Sequence, residues 1–265
     1  MSWWGKILGG TFGYMLGGPL GALLGASLGH QFDSSQDKEG RAGLGGPANR
    51  ERIQSAFFTA TFSVMGHICK ADGKVTPDEI QLAQSVMDQM QLTPDQRVAA
   101  KRLFNEGKSS TFPFKAVLEQ FRRECRRRHT LMQMFLEIQI HAAYADGLIH
   151  PAERKVLRDV CDILGFSQQD LAHLEAMVKS QSHFTGSGPA RKSSKTRIKE
   201  AYDVLGISAA SKPAEIKKAY RRLMSQHHPD KLVAKGLPEE MMKLAGQKTH
   251  EIKVAYNTIR ENRGF

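Results

Sequence analysis

Twenty-three consecutive residues, Ile7 to Gly29, carry no charge and are bounded by Lys6 and His30. As a helix they reach about 35 Å, enough for a hydrocarbon core of about 30 Å. Trp3 and Trp4 lie where an interfacial aromatic anchor would sit. A secretory signal peptide fits less well, because its apolar core runs only about 7–15 residues behind a more basic start. The expectation is a single transmembrane helix over 7–29 after a short tail over 1–6. Gly5, Gly9, Gly13, Gly17, Gly21, Gly25 and Gly29 recur at every fourth position. On a helix they form one slowly rotating ridge without Cβ atoms, and such ridges let membrane helices approach closely. Homodimerisation through Gly9, Gly13, Gly17, Gly21 and Gly25 is the simplest outcome, with Pro19 bending the helix near its middle.

Over the whole chain the composition is that of a globular protein, with 40% hydrophobic and 25% charged residues. Lys and Arg outnumber Asp and Glu by 38 to 27, a net charge of +11. The excess is concentrated in residues 197–265, where 14 basic residues face 8 acidic ones. Such an excess suits an acidic partner surface. Cys69, Cys125 and Cys161 are far apart and form no C-x-x-C pair, so neither a metal knuckle nor a disulfide framework is expected, as befits a reducing compartment. Residues 30–50 and 181–196 are polar and rich in Gly and Ser, and read as linkers.

Residues 51–180 contain an internal repeat. His67-Ile-Cys-Lys-Ala-Asp-Gly-Lys-Val-Thr-Pro-Asp-Glu79 returns 74 residues later as His141-Ala-Ala-Tyr-Ala-Asp-Gly-Leu-Ile-His-Pro-Ala-Glu153. Each copy reads as helix, stop, turn, helix: Gly73 or Gly147 permits positive φ, and Pro77 or Pro151 opens the next helix behind Thr76 or His150. Helical stripes flank the turns, such as Ile53, Ala56, Phe57, Ala60 and Val64. An all-α domain of two pseudo-repeated helical pairs follows. It resembles the TerB-like (tellurite-resistance) helical domain. Asp72, Glu79, Asp146 and Glu153 are candidate oxygen ligands for a hard cation, but two carboxylates per turn fall short of a full shell. Turn and cap roles account for them better, so no metal is expected. Arg122, Arg123, Arg126, Arg127 and Arg128 form a dense basic run. A solvated helix face is the default reading, ahead of lipid headgroups, and with no aromatic platform nucleic acid is not expected.

The C-terminal unit, 197–265, reads as three helices. The first presents Ile198, Ala201, Tyr202 and Leu205 and stops at Gly206. The second begins after Ser211, with Glu215 one residue beyond the spacing of a capping box. Its stripe is Ile216, Ala219, Tyr220 and Leu223, and Lys217, Lys218, Arg221 and Arg222 fill the other faces. The third buries Ile252, Ala255, Tyr256 and Ile259. The second and third should pair antiparallel, with His228-Pro229-Asp230 at the turn between them. Pro229 keeps His228 out of the α region and donates no hydrogen bond, so a rigid tip presents an imidazole and a carboxylate.

YDVLGI, EIKKAYRRL, HHPDK and AYNTI together resemble a J-domain, the DnaJ module that docks on DnaK-type chaperones. With the glycine-rich span and the TerB-like middle, the whole chain is similar to the membrane-anchored DnaJ-like co-chaperones. The Gly/Phe-rich segment and the CxxCxGxG repeats of full DnaJ proteins are missing from it. The resemblance implies a regulatory co-chaperone that stimulates DnaK ATP hydrolysis at the inner membrane, in an envelope process such as stress or capsule signalling. It implies that Asp230, beside His228, Pro229 and Lys231, engages an arginine of the chaperone. It also implies that Lys217, Lys218, Arg221 and Arg222 meet an acidic face. Because DnaK and ATP are cytosolic, residues 34–265 should face the cytoplasm and the first residues the periplasm. No cofactor is expected. An enzyme using His228 and Asp230 is disfavoured, since no nucleophile motif or phosphate-binding glycine loop accompanies them. A membrane scaffold or metal-binding protein without chaperone coupling is the alternative.

Overall fold

The computed structural model describes residues 17–28, 47–71, 73, 77–126, 128–144, 148–186, 194–235, 237–238 and 242–265. Among these there are helices and no strands, as the all-α reading requires. In chain order they are α1 (Gly18–Leu28), α2 (Pro47–Cys69), α3 (Pro77–Gln89), α4 (Pro94–Gly107), α5 (Phe114–Glu124) and α6 (His129–Ala143). There follow α7 (Pro151–Leu164), α8 (Gln168–Gly186), α9 (Ser194–Leu205), α10 (Pro213–His227), α11 (Pro229–Ala234) and α12 (Met242–Arg263).

The axis of the middle domain is α2, packed against α1, α4, α5, α6 and α7. Its expected one-sided stripe is in fact a helix buried all round: residues 53–66 are inaccessible, Ser55, Thr59, Thr61 and Ser63 included. The two serines tolerate this because they bond their own helix, Ser63 Oγ to Thr59 O at 2.7 Å and Ser55 Oγ to Glu51 O at 3.0 Å, whereas the Thr59 and Thr61 hydroxyls are buried without a partner among the described residues. Phe57, Phe121 and Phe135 join α2, α5 and α6 edge to face or tilted, with ring centroids 4.6–6.3 Å apart.

Where α2 crosses α4 two glycines remove the side chains. A Cβ on Gly66 would sit 2.0 Å from Phe104 O, and one on Gly107 only 1.8 Å from Ser63 O. The backbones therefore touch, and nothing larger than glycine fits between them.

The first part of the expected membrane span, residues 7–16 with Gly9 and Gly13, lies outside the described residues. Its described part, α1, begins at Gly18, which like Gly17 before it has positive φ. Leu20 and Leu24 of α1 are fully buried against the middle domain. Gln120 of α5 ties its start down, donating to Gly17 O at 2.8 Å and accepting from Leu20 N–H at 2.9 Å. Gly21 is buried there and Gly25 exposed. No described helix is long and apolar enough to cross a membrane.

Sequence signals at the helix starts are realised with one shift. Thr93 caps α4 in a full capping box with Gln96. His150 caps α7, and Glu153 Oε2 accepts its N–H at 2.8 Å. In α10 the cap is Lys212 rather than Ser211, so Glu215 stands at the third helical position and accepts Lys212 N–H at 2.8 Å. The expected linker 181–196 is entered by helix from both sides: α8 continues to Gly186 and α9 starts at Ser194. Extending a helix already held by packing fixes few new dihedrals per bond gained, so a polar sequence follows it readily.

Candidate functional site: the HPD corner

The C-terminal unit has its own core of Ala201, Tyr202, Val204, Leu205, Ile216, Leu223, Ile252, Ala255 and Ile259. Tyr220 of α10 stacks on Tyr256 of α12 at 4.2 Å, fixing one helix against the other. With Ile216, Ala219 and Leu223 facing inward, Lys217, Lys218, Arg221 and Arg222 are left on the exposed surface of α10. The Lys217 ammonium lies 5.8 Å from the centre of the Phe265 ring.

α10 ends at His227. His228 is extended (φ −62°, ψ 123°) and both closes α10 and opens α11, whose first residue is Pro229. Proline is compatible with a first helical position and incompatible with continuing the helix before it, so the chain turns here. Leu232, fully buried, pins the far side of the turn. The His228 and Asp230 side chains point out, 47% and 82% exposed, with Nδ1 and Oδ2 3.9 Å apart. Lys231 Nζ bonds Ser225 Oγ at 2.7 Å, tying the corner back to α10. Of the eight residues singled out in the sequence, Pro229 is half-buried and the other seven are exposed, along a cationic helix that ends in an imidazole and a carboxylate.

The other candidates lie elsewhere. Asp72 and Asp146, and the side chain of Glu79, fall outside the described residues, and the Glu153 carboxylate is engaged in its cap. No cluster of three metal-ligating side chains occurs among the described residues. Of the arginine run, Arg122 Nη1 donates to Ile163 O at 2.9 Å, closing the end of α7, while Arg123 and Arg126 are exposed and Arg127 is outside the described residues. All three cysteines are free and buried, and burial pushes the Cys161 thiol up to about 12. They are poor nucleophiles.

A second polar cluster escaped the sequence reading. Immediately before the exposed His228, His227 is buried, only 2% of its side chain accessible. Its Nε2 lies 3.9 Å from Glu137 Oε1 of α6, and Lys248 Nζ of α12 is 3.2 Å from Glu137 Oε2. Gln133 donates to the same carboxylate at 3.0 Å. Burial works against the Glu137 charge, but Lys248, His227 and the Gln133 bond outweigh it and hold the carboxyl below its ordinary range. The signal available was one carboxylate inside the apolar run LMQMFLEIQI.

Burial also lowers the His227 pKa, with Lys248 acting in the same direction and Glu137 opposing. His67, stacked on Phe114 at 4.6 Å, is lowered by burial too. Unfolded imidazoles take up protons near pH 6.5 while these resist, so their contribution is complete above that value and drains away as pH falls below it. The urea midpoint at pH 5.5 should lie below that at pH 7.5, and His227→Gln should flatten the dependence. An unchanged slope in that variant would remove His227 from the account.

The fold and this corner define a class, the J-domain proteins. A family model described as the DnaJ domain matches residues 200–263, one for the tellurite resistance protein TerB matches 58–176, and one for the co-chaperone DjlA transmembrane domain matches 1–46. The chain is 44% identical over 275 residues to the co-chaperone protein DjlA of Photobacterium profundum, covering 99% of both. To those of Vibrio cholerae and Yersinia pestis it is 45% and 44% identical, covering the full length of each. The chain belongs to the DjlA family of membrane-anchored co-chaperones. No solved structure gives a significant match.

Proposed function

We propose that this co-chaperone docks on DnaK through the HPD corner and the basic face of α10, and stimulates its ATP hydrolysis without catalysing a reaction of its own. The supporting observation is the ridge itself: Asp230 and His228 stand exposed at a proline-fixed turn, continuous with Lys217, Lys218, Arg221 and Arg222. Charges so arranged steer encounter with an acidic surface and set register on it. A ligand that prefers the hydrolysing conformation of its partner shifts the population toward it, and this is all a non-enzymatic stimulator needs.

Anchored by its N-terminal segment, the chain would act in the inner membrane as a single-pass protein, tail in the periplasm and bulk in the cytoplasm. The glycine ridge would pair two copies, recruiting DnaK to an envelope process such as stress or capsule signalling. Titrating the full chain in liposomes into DnaK and ATP, with phosphate release as readout, tests the central claim. Saturable stimulation is expected, and unchanged turnover at saturating dose refutes it. Protease should reach the J-domain in inverted vesicles and spare it in spheroplasts; the opposite pattern reverses the topology.

A further inference from the structure

The C-terminal unit does not stand clear of the middle domain. Leu232, Leu237 and Ala245, from the connection after the HPD corner and the start of α12, are fully buried in the apolar cluster of the middle domain. Gln54 Nε2 of α2 donates to Leu237 O at 3.4 Å, and Lys235 Nζ donates to Thr130 Oγ1 at 3.1 Å. At the end of α9, Gly206 (φ +63°) leaves no room for a Cβ, which would sit 2.3 Å from the ring of His173 on α8. The buried Glu137 carboxylate, gripping Lys248 with His227 beside it, lies in the same contact. Removing one member of a buried pair leaves the other charge uncompensated, so such a cluster holds one arrangement and resists alternatives.

This contact borders the proposed docking ridge. Arg222, Leu223 and Gln226 of α10 line a cleft of about 190 Å³ opposite His129, Asp170 and His173 of the middle domain. A liquid water occupies about 30 Å³, so a few waters fit where a folded lobe cannot. Arg222 is exposed like Lys217, Lys218, Arg221 and the HPD tip, but the middle domain forms the opposite wall of the cleft that it lines.

We propose that the middle domain clamps the J-domain through the Glu137–Lys248 contact, giving a closed form that competes with the chaperone for the Arg222 end of α10. The competition rests on the DnaK reading above; the clamp does not. A partner that binds only the open form sees its affinity reduced by the open fraction, so loosening the clamp should strengthen docking.

The test uses the full chain with Thr130→Cys and Lys235→Cys joined by a short thiol-reactive cross-linker with a reducible spacer, the three native cysteines being buried. Wild-type charges should give efficient cross-linking. Lys248→Glu, which sets two carboxylates against each other, should abolish it, and adding Glu137→Lys should restore it. Without cross-linker, Lys248→Glu should lower the half-maximal concentration for DnaK stimulation by about threefold or more. Cross-linking should raise that concentration, and reduction of the spacer should reverse the effect. Circular dichroism confirms that each variant is folded. Cross-linking indifferent to charge overturns the clamp. Charge-dependent cross-linking without effect on stimulation overturns the competition. A chain that never stimulates DnaK, yet cross-links as its charges dictate, overturns the functional reading and leaves the clamp supported.

Discussion

Asp230→Asn should leave the protein folded and raise the concentration needed for half-maximal DnaK stimulation by about 30-fold or more. The side chain is 82% exposed, with His228 Nδ1 3.9 Å from its carboxylate, so little of the fold depends on it. The substitution keeps shape and removes only charge. If the carboxylate meets an arginine in a desolvated contact, losing it costs roughly 2–5 kcal/mol, and each 1.4 kcal/mol is tenfold. Equal thermal transitions with equal stimulation would show that the carboxylate is not part of the contact. Arg221→Ala, at an exposed position on the rod, should give a smaller loss that shrinks as salt is added.

Two glycine-to-alanine substitutions should move stability in opposite directions. Gly66→Ala places a methyl 2.0 Å from the Phe104 carbonyl oxygen, which belongs to backbone and cannot swing aside, so α2 and α4 must part. Forcing atoms into a packed crossing typically costs about 1–3 kcal/mol, and a backbone neighbour puts this case at the upper end. Gly246→Ala, inside α12, meets nothing within 4 Å and exchanges a poor helix former for the best one. It should add about 0.5–1 kcal/mol. Urea unfolding of the full chain measures both, and a neutral Gly66→Ala would mean that the α2–α4 crossing yields more easily than its geometry allows.

What the sequence made legible was punctuation. Pro151, His150 and Glu153 announce a helix start by chemistry confined to four residues, and Pro229 fixes the functional corner just as locally. The apolar stripes of α10 and α12 were readable because each helix has one wet side. The full burial of α2 was not legible because Ser55 and Ser63 look polar in a sequence yet bond carbonyls of their own helix, so burial leaves no trace in composition. The cap of α10 moved by one residue because Lys212 offers only its backbone N–H, a role no side-chain preference betrays. Hardest to foresee was the meeting of Glu137 with His227 and Lys248, since partners about a hundred residues apart have no common period. The glycine spacing, so regular on paper, belongs mostly to residues outside the described ones.

The adjacent imidazoles at the end of α10 divide the molecule's business between them. One looks inward at a carboxylate of its own chain, the next looks outward at whatever arrives. A single peptide bond separates self-recognition from recognition of others, so a shift at the inner residue need travel no distance to be felt at the outer one. Phenotypes at 227 and 228 should therefore sort cleanly into loss of restraint and loss of contact, although the two residues share a letter.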